Sequence, residues 1–361
     1  MQDDYLISVI VPFYNAEKHI ENCIETLINQ DFEGSFEIIM INDASTDRSV
    51  ELIKNLKSKK ISIFNLTLNS GPGAARNLGI KNAKGKYIFF LDADDLIEHN
   101  TFTNLYKIIN ETNCDLVFSD RKWNENSINI RENKFIYDEN KYFNKKEIID
   151  ALKNRYYDPL YSVGLFQLTG RLIKRSIIIK NNLFFEEKLR YLEDEAFEWD
   201  LLGLINNAIY VKKQLYTYNI NTNSNTAISD GLSRNFPISN FTIVKGHIVK
   251  NLNKLNFNPI EVKKIAQQGF IFLIISALVS YSRSIILGKV DLKKGIKVRL
   301  NMIKSIIKDD DVKNAINNYK HSKKESIWIV RGIKWRSSII LKIACSMRAQ
   351  EIINIRRKIK K

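Results

Sequence analysis

The stretch Lys86–Asn100, KYIFFLDADDLIEHN, decides the fold of this 361-residue chain. Tyr87 to Leu91 read as a buried strand, and Asp92, Asp94 and Asp95 follow at its carboxyl end. Carboxylates leave water only against something that offsets their charge, so a strand ending in three of them points to a bound partner. Side chains of an extended segment alternate with period two, which sets Asp92 and Asp94 on the same side with Ala93 between them. Two oxygen donors so placed suit a divalent cation, Mn²⁺ or Mg²⁺, which can in turn bridge the phosphates of a nucleotide. Another reading makes Asp95 the cap of the next helix, with Glu98 completing a capping box. That reading leaves Asp92 and Asp94 unexplained.

Working outward, strand-like and helix-like runs alternate. LISVIVPFYN (6–15), FEIIMINDAS (36–45), ISIFNLTL (61–68) and CDLVFSD (114–120) read as strands. AEKHIENCIETLINQ (16–30) is a crossover helix with Ile20, Ile24, Leu27 and Ile28 on one face, and a second helix is expected from Asp47 to Leu56. The alternation favours a parallel sheet with helices on its faces, an α/β fold. Ligands of such sheets bind in the crevice at the carboxyl ends of the strands. Tyr14, Asn15, Asp43 and Asp92–Asp95 all fall at such ends. Between the third and fourth strands, NSGPGAARNLGIKNAKG (69–85) reads as a glycine-rich turn. Its glycines would let the backbone pass close to a ligand, and Arg76 offers a charged fork for a phosphate or for the acidic cluster. A dinucleotide fingerprint is not expected, because the segment follows the third strand and Arg76 stands where a third glycine belongs.

Composition sets the class. With 44% apolar and 27% charged residues and five prolines the chain is a folding one. Three scattered cysteines without neighbouring histidines suggest neither a disulfide framework nor a zinc site, and fit a reducing cytoplasm. The first fifteen residues lack the order of a secretory signal. The net charge of +16 is uneven: residues 231–361 hold 28 Lys and Arg against 7 Asp and Glu, a balance of +21 that leaves −5 for residues 1–230. A boundary is therefore expected near 230, between an α/β part and a basic helical region, 231–361. GFIFLIISALVSYSRSIILG (269–288) is the most apolar run; Ser280, Ser282, Arg283 and Ser284 interrupt it, so a buried helix is expected there in place of a bilayer span.

Four blocks in order, SVIVPFYNAEKHIENCIETLINQ, EIIMINDASTDRS, NSGPGAARNLGIKNAKGKYIFFLDADD and YLEDEAFEWDLL, resemble those of the family 2 glycosyltransferases with the GT-A fold, over residues 6–220. The resemblance implies an inverting, metal-dependent transfer of a sugar from a UDP-sugar donor to a hydroxyl of a bacterial surface glycan, free or lipid-linked. It implies that Pro12, Tyr14, Asn15 and Asp43 hold the nucleobase side, that Arg76 steadies the diphosphate, and that Asp92, Ala93 and Asp94 form the metal-binding strand end, with Asp94 on the metal. Glu193 and Asp194 match the family's acidic pair, with Asp194 the base, so that 1–120 would bind the nucleotide-sugar and 121–230 would hold the acceptor side and the base. One departure stands out: Asn219 occupies a position where the family often has arginine, and Arg171, Lys174, Arg190 or the basic tail are candidate substitutes. By itself EDEAFEWD (193–200) would read as the solvated acidic face of an amphipathic helix.

The tail GIKWRSSIILKIACSMRAQEIINIRRKIKK (332–361) sets Trp335, Ile339, Ile340, Ile343 and Met347 at helical spacing among Lys and Arg. It suits either an anionic membrane surface, which would make the protein peripheral at the inner face of the cytoplasmic membrane, or packing on the rest of the protein. Nucleic acid is not expected, since no recognised binding module accompanies the charge. The rival readings are a nucleotidyltransferase and a catalytically silent glycan-binding protein that retained the fold.

Overall fold

The computed structural model describes residues 5–125, 129–131, 136–158, 164–220, 238–321 and 325–359. The chain forms two compact units, Met1–Leu152 with Ser162–Asn221, and Lys153–Tyr161 with Thr222–Lys361. The break expected near residue 230 lies outside the described residues. The excursion of 153–161 into the second unit is marked by nothing in the sequence.

In the first unit β1 (Ile7–Phe13), α1 (Ile20–Ile28), β2 (Phe36–Asn42), α2 (Ser49–Asn55), β3 (Ile61–Asn65), α3 (Pro72–Asn82) and β4 (Tyr87–Phe90) alternate as the sequence pattern predicts. β3, β2, β1 and β4 lie side by side and parallel. Every residue of β1, β2 and β4 is buried, as parallel strands covered on both faces require. Val9, Val11, Met40 and Phe89 pack with Ile24 and Leu27 of α1 and with Phe102 and Leu105 of α4 (Thr101–Thr112). Ile10 points the other way, to α3, which lies so close that a Cβ on Gly79 would meet Ile10 Cγ2 at 2.3 Å.

The segment read as a glycine-rich turn is thus mostly helix. Gly71, at φ 93°, turns the chain and Pro72 opens α3 at a position where proline suits a helix start. Residues all round α3, from Gly73 to Ile80, are buried, so small side chains took the place of the apolar stripe that marks an ordinary surface helix.

The sheet is mixed, where the sequence suggested a parallel one. After β5 (Leu96–Ile97) and α4 come β6 (Leu116–Glu125), β7 (Asn129–Arg131), β8 (Lys141–Phe143), α5 (Lys145–Asn154), β9 (Arg171–Lys174), α6 (Arg175–Lys180), α7 (Glu193–Leu204) and β10 (Ala208–Ile220). β9 inserts antiparallel between β4 and β6, and β10 runs parallel to β6 and antiparallel to β5. β10 therefore points the same way as β4. Its last residues reach the edge where β1, β2 and β4 end.

The second unit holds α8 (Ile238–Lys254), α9 (Pro259–Ile286), α10 (Leu292–Lys308), α11 (Asp310–Ile316), α12 (Ile327–Lys334) and α13 (Ser338–Ile359). Asn258 caps α9, accepting from the Glu261 amide at 2.9 Å, and Pro259 opens it. Among the described residues α9 alone is long and apolar enough to cross a membrane, and 67% of its apolar window is buried within the protein. Gln268, in its middle, donates to the carbonyls of Tyr156 at 3.2 Å and Lys320 at 2.8 Å and accepts from the Lys320 amide at 2.9 Å. Its packing is that of a core helix.

Candidate active site

The carboxyl edge of the sheet is built from clasped loops. Asn15, at φ 48°, accepts from the Thr46 amide through Oδ1 at 2.8 Å, and its own amide donates to Ser45 Oγ at 3.0 Å. Asp47 accepts from the Glu17 amide at 3.0 Å. The loops after β1 and β2 are thereby held to each other, with Pro12 buried in β1 and Tyr14, the first residue after β1, 49% exposed. Asp43 is buried at the end of β2, and its two oxygens accept from the amides of Ser70 at 2.7 Å and Gly71 at 2.9 Å. Burial raises its pKa, and those amides together with Arg190 oppose the rise. Asn15, Ala44 and Leu192, at φ 48°, 59° and 70°, are non-glycine residues in the left-handed region at this edge, a form of backbone strain that recurs at functional sites.

Arg76 joins the acidic segments. From the middle of α3 its Nη2 donates to Asp92 Oδ1 at 2.8 Å and its Nη1 to Glu193 Oε1 at 3.0 Å. Burial works against its charge, and Asp92 and Glu193 outweigh burial. Glu193 is buried at the first position of α7; burial and the Asp194 charge push its pKa up to about 7, with Arg76 pulling it down. Asp194 is solvent-accessible, yet the protein crowded round it and the Glu195 charge raise its pKa against the pull of Arg76. The structure thus separates the acidic pair, one carboxylate locked to Arg76 and the other presented to solvent. It also corrects the amphipathic reading of 193–200, because Glu195, Glu198 and Asp200 are buried along with the apolar residues.

Asp95 does not cap a helix; Asn100 holds the cap position of α4. Asp95 is buried and accepts from Tyr216 Oη and from the Asn219 amide at 2.8 Å. Burial and its neighbours Asp92 and Asp94 raise its pKa. Asn219 further donates through Nδ2 to the Asp94 carbonyl at 2.6 Å and accepts from Asn124 Nδ2 at 2.8 Å. The residue standing where arginine often does is therefore a clamp on the Asp94 backbone. Its position was legible in the sequence, whereas its partners, with Tyr216, depend on β10 pairing with β5, which follows Asp95 in the chain.

The candidate replacements for that arginine separate cleanly. Arg171 is fully buried, paired with Glu198 and donating to the Leu165 carbonyl at 2.9 Å. Lys174 faces the amino end of β4, opposite Tyr87, and pairs with Asp115 at 3.1 Å. Arg171 begins β9 at the carboxyl edge, beside Phe90, but is buried against Glu198, and Lys174 lies at the other end, so neither presents its charge at the carboxyl edge. Arg190 does: it is exposed, donates to Asn69 Oδ1 at 3.2 Å, and its Cγ lies beside Gly71.

Asp94 is half-buried at the same edge, and Arg76 occupies one oxygen of Asp92. Among the described residues no three His, Cys, Asp or Glu side chains converge to hold a metal ion by themselves. One or two carboxylates, with water and substrate phosphate completing the shell, is the donor set that Mg²⁺ or Mn²⁺ takes. The residues fit such a cation.

Comparison with known proteins gives the same picture. The family model of glycosyl transferase family 2 matches residues 8–178. Glycosyltransferase GlyG of Streptococcus pneumoniae serotype 4 is 30% identical over 219 residues, 59% of this chain and 70% of that protein. The poly(ribitol-phosphate) beta-N-acetylglucosaminyltransferase TarS of Staphylococcus aureus is 29% identical over 215 residues, 58% of this chain and 35% of that protein. The match spans 63% of the glycosyltransferase EpsJ of Bacillus subtilis and 31% of GlyA of S. pneumoniae, so these relatives extend well beyond it. In fold, the crystal structure of S. aureus TarS 1–349 in complex with UDP-GlcNAc superposes with a TM-score of 0.65 at 19% identity, covering 96% of this chain and 92% of that one. The parallel strands ending in Asp43 and Asp92, the Arg76 bridge to α7 and the extent of these similarities lead to one conclusion: the chain belongs to glycosyl transferase family 2 and has its GT-A fold.

Proposed function

We propose that the protein transfers a sugar from a UDP-sugar to a hydroxyl of a cell-surface polymer with inversion at the anomeric carbon. The observation that carries this reading is the Arg76 bridge, which ties the Asp92 strand end to the start of α7 and so sets an accessible carboxylate, Asp194, beside the acidic strand end. Tyr14 offers an open ring for the base, and Asp43 fixes the backbone of the turn over which the nucleotide would lie. Arg190, exposed next to that turn, supplies the positive charge that Asn219 lacks.

Asp94, with Asp92, would hold the divalent cation, whose chemistry is to neutralise charge growing on the departing diphosphate. Asp194 takes the proton of the acceptor hydroxyl as that oxygen attacks the anomeric carbon from the face opposite the leaving group. Glu193 keeps Arg76 in place and does not itself face the acceptor. The activities named for TarS and for a Bacillus spizizenii poly(ribitol-phosphate) beta-glucosyltransferase support a polyol-phosphate or related surface polymer as acceptor class.

The test is UDP release from a panel of UDP-sugars, UDP-GlcNAc and UDP-glucose first, with Mn²⁺, Mg²⁺ or a chelator, and with a poly(ribitol-phosphate) acceptor. One donor should release UDP in a chelator-sensitive way. Asp194→Asn should lose on the order of 10²–10⁴-fold in rate while still binding UDP, the range a general base contributes. Failure of every donor to bind would overturn the reading.

A further inference from the structure

The second unit carries a surface that the sugar-transfer chemistry leaves unused. α12 and α13 bury Ile329, Ile333, Leu341, Cys345 and Ala349. On their other side Trp328, Trp335, Ile339, Ile343 and Met347 remain between 50% and 71% exposed. A cavity of about 260 Å³ opens there, lined by Ser326, Trp328, Ile340, Ile343, Ala344 and Met347. Contiguous apolar surface of this kind on a folded chain marks a contact site.

The charge around the groove selects what contacts it. Residues 326–350 contain Arg331, Lys334, Arg336, Lys342 and Arg348 and no acidic residue; Asp310 meets Arg336 at 3.6 Å and Glu351 meets Arg348 at 2.6 Å, so the basic rim rests on Arg331, Lys334 and Lys342. The Arg331 guanidinium lies 4.9 Å from the Trp328 ring centre and 6.0 Å from that of Trp335. Tryptophans set beside basic side chains, around an apolar slot, match the layered chemistry of a bilayer surface, with indoles at headgroup depth and cations on anionic lipid. A second copy of the chain would bring the same basic rim against its own, which like-charge repulsion disfavours.

We propose that the α12–α13 groove docks the protein on an anionic lipid bilayer, with Trp328, Ile343 and Met347 entering the interface and Arg331, Lys334 and Lys342 on the headgroups. The structure alters the sequence expectation in its parts. Trp335 belongs to the turn between the helices, where Arg336 has φ 54°, and not to the tail helix with Ile339. Trp328 comes from the preceding helix, and Ile340 forms the groove wall.

Co-sedimentation of the full chain with phosphatidylcholine vesicles, with and without phosphatidylglycerol, tests this. Binding to the anionic vesicles alone, weakening with salt, is expected, along with quenching of tryptophan fluorescence by lipids brominated on the acyl chain. Trp328→Ala with Ile343→Ala should weaken binding roughly tenfold or more, an effect equivalent to a few buried methylenes. Lys334→Glu with Lys342→Glu should abolish the preference for anionic lipid, and Trp328→Phe should retain binding. Unchanged circular dichroism and UDP binding in each variant exclude misfolding. Equal binding to neutral vesicles, no binding to either, or a concentration-dependent dimer that Trp328→Ala dissociates would each overturn the proposal.

Discussion

The two ends of the central sheet handle charge in opposite ways. At the amino end the buried acids are closed off: Glu37 accepts from Ser8 Oγ at 2.6 Å and from the Lys84 amide at 2.7 Å, and Asp115 pairs with Lys174 at 3.1 Å while accepting from the Asn206 amide at 2.8 Å. At the carboxyl end Asp43, Asp92, Asp94, Asp95, Glu193 and Asp194 gather, and Asp43, Asp95, Glu193 and Asp194 are all pushed up in pKa. The amino end is satisfied by the protein itself. The carboxyl end crowds six carboxylates together, two of them on Arg76, and raises the pKa of four of them, which is the mark of a site whose energy is directed to binding and not to folding.

Three substitutions or conditions sharpen or break that contrast. Arg76→Ala has the largest expected effect, because Arg76 serves both folding and site. Removing it leaves Glu193 buried without its partner, at a cost on the order of 3–5 kcal/mol in denaturant unfolding, and transfer activity should fall with it. A variant that loses activity at full stability would show the bridge to be functional only.

Glu37→Ala should cost less, about 1–3 kcal/mol, for the buried hydroxyl and amide it leaves unpaired. The rate per folded molecule, measured by UDP release, should stay at the wild-type value; a drop would break the division between the two ends.

The smallest effect is graded with pH. As the proposed base Asp194 would work ionised, and its pKa is raised, so activity should be present above that pKa and lost as pH falls through it. Because Glu193, at about 7, titrates with it, the acid limb of kcat/KM should lie above the ordinary carboxylate range, with each further unit of acidity costing about tenfold, roughly 1.4 kcal/mol. A limb confined to the ordinary range would remove Asp194 from the role of base.

Which features could be read from the sequence follows from whether their cause is local. β1, β2 and β4 announce themselves because parallel strands buried on both faces are continuous apolar runs, and the polar residues that stop them mark the crevice. α3 hides because it packs on several sides, so Gly73, Ala75 and Gly79 replace the stripe that would have marked it. β9 hides because four residues, Arg171–Lys174, carry too short a pattern to show that they insert antiparallel between β4 and β6.

The same distinction runs through the site. The amino-acid sequence determined the presence and spacing of Asp92 and Asp94, the acidic pair Glu193 and Asp194, and the departure at Asn219, since each is a matter of residue type along a short segment. Tertiary structure alone decided that the Arg76 held near Asp92 also grips Glu193, that Asp95 is held by Tyr216 and Asn219, that Arg190 and not the buried Arg171 or the distant Lys174 presents its charge at the carboxyl edge, and that Trp328 joins the tail helix in one groove. Those facts arise from contacts between residues separated by up to 124 positions in the chain, or from the burial that follows packing. Burial fixes which charges must be paired, and no local pattern encodes it.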